Sequence, residues 1–115
     1  MTVWFTRDQF IKDGPVTKGK KLTVVYDTRR LDNIDARAKD DSTFKVWVKT
    51  FNNFGEVNKD IMFKKSSDHP ISILTLDTSQ FLIYNNNDCL LYFSSSDETV
   101  WDSNNSQDFK IDVSN

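Results

Sequence analysis

Apolar and polar positions alternate along this chain with a period of two rather than 3.6. Leu22, Val24 and Tyr26 interleave with Thr23 and Val25, and Phe44, Val46 and Val48 interleave with Lys45, Trp47 and Lys49. Further apolar runs fall at Ile71, Ile73, Leu74 and Leu76, at Phe81, Leu82, Ile83 and Tyr84, at residues 90–93, and at Phe109, Ile111 and Val113. These runs are rich in β-branched and aromatic residues and are bounded by Asn, Asp, Ser and Gly, the composition of strands closed by turns. Residues 3–6 and 61–64 carry weaker versions of the pattern. Seven to nine short strands in a chain of this size predict an all-β fold, two antiparallel sheets packed as a sandwich.

Only residues 27–42 break the period. Leu31, Ile34 and Ala38 there fall at i, i+3 and i+7 in an otherwise charged stretch, which predicts a long loop with one helical turn. The runs 85–87 (Asn) and 94–96 (Ser) are predicted turns. With no internal repeat and no Pro/Gly linker, the 115 residues (1–115) form one domain. That length closes a core without disulfides or metal.

Charge narrows the functional classes. The 15 basic and 17 acidic residues are interspersed, so no cationic footprint for nucleic acid exists. No apolar stretch approaches the ~18–20 residues of a membrane span, so neither nucleic acid nor membrane is an expected partner. The N-terminal residues lack the layout of a signal peptide, which leaves a cytosolic protein or a domain of a longer chain. Cys89 is the one cysteine, and its apolar surroundings predict a buried small hydrophobe.

Catalytic motifs are missing. His69 is the single histidine and precedes Pro70 in a turn, and Gly14, Gly19 and Gly55 make no phosphate loop. Carboxylates are plentiful, but a domain this small leaves little room for a substrate cleft, so the chain is expected to be non-catalytic, with no cofactor. Asp102, Asn104, Ser106 and Asp108 alternate like the first ligands of a calcium loop. Gln107 stands where that loop turns on glycine, and Val113 stands where it closes on glutamate, so the pattern fails as an EF-hand.

Two features exceed a generic sandwich. With Phe44, Val46 and Val48 facing the core, Trp47 projects to the other side of the sheet between Lys45 and Lys49. Either it is exposed for binding, or a loop or the lysine stems cover it. The second feature is the stretch from Trp101 to Phe109, an indole followed by Asp102, Ser103, Asn104, Asn105, Ser106, Gln107 and Asp108. Such side chains cap turns. They also match a sugar ring, whose C–H faces suit an aromatic plane and whose hydroxyl edge suits amides.

Here the chain resembles a known group. Trp101-Asp-Ser-Asn-Asn-Ser-Gln-Asp-Phe109 is similar to the W-D-N-N-N-G-x-[ND]-[YF] signature of starch-binding modules, carbohydrate-binding module families 25, 26 and 53 and also family 21. Gly19-Lys-Lys-Leu-Thr-Val-Val-Tyr26 resembles their G-x-x-V-x-V-x-Y strand, Phe44-Lys-Val-Trp-Val48 their aromatic-bearing strand, and Phe51-Asn-Asn-Phe-Gly55 their F-N-x-W loop followed by Met, here Met62. The resemblance spans about residues 18–113. It implies an immunoglobulin-like sandwich, a monomer, that binds α-1,4-glucans such as starch, glycogen and maltooligosaccharides for a linked amylolytic or glucan-synthesising domain. A secreted parent enzyme would make it extracellular. By the same resemblance the carbohydrate-binding residues are Trp47, Phe54 and Trp101 for stacking, Asn104 and Asn105 for hydrogen bonding, and Asp102 for orienting the turn. Phe54 stands where the group has Trp, and Ser103 where it has the second Asn.

A protein-interaction sandwich anchored by Trp47 is the alternative to sugar binding. Trp4 has no counterpart in the signature and is expected to pack against the sandwich edge. Asn104-Asn105-Ser106 is also a glycosylation sequon, and a glycan there would block the site, so Asn104 is expected to be unmodified.

Overall fold

A computed structural model describes residues 1–52, 54–66, 68–80 and 88–114. The predicted strand at 81–84 and the predicted turn at 85–87 lie outside the described residues. Two sheets pack face to face. One has the order β2 (Phe10–Lys12), β1 (Thr2–Phe5), β4 (Lys21–Asp27), β7 (Ile71–Asp77). The other has the order β3 (Val16–Thr17), β10 (Phe109–Ser114), β8 (Asp88–Ser95), β5 (Thr43–Asn52), β6 (Gly55–Lys64), with β9 (Trp101–Asp102) paired to the end of β8.

The all-β two-sheet sandwich expected from the alternation is therefore present. The β4–β7 neighbours in one sheet and the β10-β8-β5 order in the other follow the B–E and G–F–C arrangement of immunoglobulin-like sandwiches. Its pairings are not all antiparallel. β1 runs parallel to β4 and β3 runs parallel to β10, because the first residues make a hairpin on one sheet and then cross to the other.

Alternation decides which side chains fill the core. Phe44, Val46 and Val48 from β5, Leu91 and Phe93 from β8, Ile111 from β10 and Leu22, Val24 and Tyr26 from β4 are all buried between the sheets. Tyr26 stacks on Phe93 at 3.9 Å between ring centroids, and Phe5 meets Phe93 edge-on at 4.7 Å, so aromatic contacts join the two layers. Cys89 is buried as expected, and burial pushes its thiol up to about 12, which leaves it an unreactive thiol near neutral pH.

Three expectations change in detail. Residues 27–42 hold more regular structure than one turn: a helix α1 (Arg29–Ile34) and a 3-10 helix (Ala36–Asp40). Asp35 separates them in extended backbone and caps the second by accepting from the Arg37 N–H. That break resets the helical phase, so Leu31 and Ala38 are buried while Ile34 faces solvent. Ser94 and Ser95 belong to β8 rather than to a turn, because each pairs across to β5. Trp4 does not sit at an edge: β1 is an inner strand, Val3 and Phe5 take the core side, and Trp4 lies on the outer face between Ile11 and Val25.

Candidate functional site

The outer face of the larger sheet carries a strip of three aromatic rings. Trp47 on β5 is directly opposite Tyr92 on β8, and Trp101 on β9 is opposite Ser94 of β8. Trp47 and Tyr92 are nearly parallel, 5.5 Å between centroids with 14° between planes. Trp101 closes the group at 5.5 Å from Trp47 and 6.0 Å from Tyr92, inclined by 46° and 33° respectively. The strip is thus bent, with Trp101 as its most open ring at 40% exposure.

Polar contacts fix the rings. The Trp47 indole N–H donates to Ser94 Oγ at 2.9 Å, and the Tyr92 hydroxyl donates to Asn58 Oδ1 at 2.9 Å. Lys45 lies 5.8 Å from the Trp47 centroid while bridging Glu98 and Asp60. Lys49 lies 5.5 Å from the Tyr92 centroid while bridging Asp108 and Glu56. The hydrogen bonds it donates to those two carboxylates push the Lys49 ammonium up to about 12, so it is cationic throughout the physiological range. The charges around the rings are therefore mutually paired, and the surface between them suits a neutral, hydroxyl-rich ligand better than an ion.

The loop after β9 forms one wall. Asn104, Asn105 and Ser106 are consecutive left-handed residues, with φ of 51°, 55° and 69°, and Asp108 has φ 59°. Such backbone is sparsely populated by non-glycine residues, least so for Asn and Asp, and persists where side chains hold it. The holding is visible: the Asn104 side-chain amide donates to the Asp108 carbonyl at 3.2 Å, the Asp108 N–H donates to the Ser103 carbonyl at 2.8 Å, and Lys49 grips the Asp108 carboxylate at 2.6 Å.

Two open hollows flank Trp101. One of about 490 Å³ lies toward α1 and is lined by Arg30, Ile34, Trp101, Asn104 and Asn105; the other, of about 380 Å³, lies over the sheet beside Lys49, Asn58, Tyr92 and Ser106. Both fall in the range of small-ligand sites.

The residues named from the sequence separate into three groups. Trp101, Asn104 and Asn105 come together around the hollow toward α1, and Trp47 joins them through its ring contact with Trp101. Phe54 does not join them. It is 96% exposed beyond the end of β5, and Trp47 lies five residues back from Asn52 along that strand, about 17 Å away at the rise of a strand. Tyr92 occupies the third aromatic position instead. Sequence reasoning passed over it, although Leu91 and Phe93 in the core place Tyr92 outward by the alternation that exposes Trp47.

Asp102 lies at the floor of the hollow toward α1, with its carboxylate turned to the core. Trp101 faces out, so the next residue faces in, opposite Phe93. Its carboxylate is buried and accepts from the Tyr26 hydroxyl at 2.8 Å and from Arg30 Nε at 2.7 Å. Burial, and then the adjacent Asp102, hold the Tyr26 phenol well above its ordinary 10.0, so it remains a donor. Asp102 and Asp108 thus turn to different cations, Arg30 and Lys49, and the alternating pattern that resembled a calcium loop does not converge on one point.

The fold and the site define an all-β sandwich with a bent aromatic strip beside a left-handed loop. Compared with known proteins, the chain matches no family model, no curated protein and no solved structure.

Proposed function

We propose that this domain is a non-catalytic module that binds α-1,4-glucans of the starch and glycogen type and holds a linked or partner enzyme on the polysaccharide. The observation that carries the reading is the Trp47–Tyr92–Trp101 strip with Asn104 and Asn105 beside it. Indole and phenol rings cover sugar C–H faces, and amides serve the hydroxyl edge. The bend of the strip favours the curved α-1,4 chain over the flat ribbon of a β-1,4 chain. The likeness of residues 101–109 to the starch-binding signature supports the same reading. A few rings on an open surface exclude little water, so affinity is expected to be modest, roughly −5 to −7 kcal/mol, or on the order of 10 to 200 µM. Retention on amylose resin, with no retention on cellulose, is the expected behaviour; equal passage through both columns would contradict the proposal.

A protein-interaction domain is the second reading, favoured by a different surface. Ile11, Trp4, Val25 and Ile73 are register neighbours across all four strands of the smaller sheet, on its solvent face. Ile73 is 70% exposed, an apolar row of the kind that marks contact surfaces.

A further inference from the structure

The most heavily constrained polar group near the site is a carboxylate that is almost wholly buried. Asp102 sits between the sheets, with Tyr26 and Arg30 as its donors. Tyr26 is fully buried and packed against Phe5, Phe44 and Phe93. Arg30 spans a wider region: its Nη1 donates to the carbonyls of Thr6 and Gln9 at 2.7 and 3.3 Å, and its guanidinium lies 5.4 Å from the Phe109 centroid. One carboxylate therefore ties the β1–β2 turn, α1 and β4 to the two-residue strand that presents Trp101.

β9 is short and lies between the turn at residues 95–100 and the left-handed loop. It makes only two register pairs with β8. A strand this short does not fix an indole by ladder bonds alone. The buried charge-assisted bonds of Asp102 are the strong part of its attachment.

We propose that Tyr26 and Arg30 are positioning residues of this site: through Asp102 they fix Trp101 in its bent arrangement with Trp47 and Tyr92, and so set ligand affinity, Tyr26 from the buried core and Arg30 from the wall of the hollow that it also lines. The affinity arm of this proposal rests on glucan binding; the positioning arm does not. A free, mobile Trp101 would have to be ordered on binding, and ordering a side chain and its loop lowers affinity. Arg30 acts as a fork. Lysine in its place keeps the charge but cannot hold Asp102 and the Thr6 carbonyl together.

Tyr26→Phe tests this with the smallest change, since the ring stays packed and only the hydroxyl leaves. Its expected effect is a loss of maltoheptaose affinity on the order of five-fold, the worth of one buried hydrogen bond. Amide hydrogen exchange should rise at residues 100–108 and stay unchanged in β5 and β10. Arg30→Lys should do the same, and it carries the test if Tyr26→Phe does not fold. A folded variant with parental exchange at residues 100–108 would overturn the positioning role, whether or not glucan binds. Raised exchange there with unaltered maltoheptaose affinity would overturn its influence on binding. If the parent itself binds no glucan, the proposed function fails while the exchange result still decides the positioning role.

Discussion

Trp101 and Asp102 are adjacent in sequence and opposite in role, because one strand bond puts the indole in solvent and the carboxylate in the core. Truncating Trp101 to alanine removes the most open ring. It is expected to weaken glucan binding by about 2 kcal/mol or more, roughly thirty-fold, as loss of an aromatic anchor does. Calorimetric titration of Trp101→Ala beside the parent measures this, and equal constants would take Trp101 out of the site. The outward aspect of Trp47 was legible from the alternation of β5, and the importance of residues 101–109 from composition. That Asp102 turns inward was legible too, from the same period, once Trp101 is placed outward. Its partners were not: Tyr26 and Arg30 lie 76 and 72 residues away, and nothing local encodes that meeting.

At the scale of elements, the hairpins decide what belongs to the site. The β5–β6 pairing carries Phe54 away from the strip, so Phe54→Ala is expected to leave maltoheptaose affinity within about two-fold and stability within ~0.5 kcal/mol, as exposed positions do. A loss comparable with that of Trp101→Ala would contradict the placement. Phe54 was chosen by likeness to a loop motif, and a motif records residue type without the length of the strand that follows.

The β8–β9 turn is held by Asp97, whose carboxylate accepts from the hydroxyls of Thr99 and Ser95 and from the Thr99 N–H. Those hydrogen bonds, the Thr99 hydroxyl first, keep its carboxyl below the ordinary 3.8. A lowered folded value means the stabilisation is complete above 3.8 and is lost as pH falls through that lower value. The Thr99 amide resonance should therefore be constant from pH 7 to about 5 and shift only under strong acid. Asp97→Asn should abolish that shift, and persistence of the shift in the variant would assign it to another group.

Across the whole molecule, the two sheets offer unlike outer faces to solvent. The larger bears the aromatic strip with paired charges, and the smaller bears the row of Ile11, Trp4, Val25 and Ile73. The layered architecture followed from the period of two, because each strand needs one buried face and the chain supplies enough strands for two sheets. The parallel pairings at β1–β4 and β3–β10 did not follow, since side-chain alternation is the same in parallel and antiparallel partners. Nor did sequence reveal Trp4 as part of an outer row, because its neighbours come from β2, β4 and β7.

The most direct test of glucan binding is tryptophan fluorescence of the intact protein titrated with maltoheptaose, with cellohexaose as the control. Trp47 and Trp101 belong to the proposed site, so the expected result is a saturable change with maltoheptaose, at a midpoint on the order of 10 to 200 µM, and none with cellohexaose. A folded protein whose fluorescence responds to neither sugar, or equally to both, would contradict it.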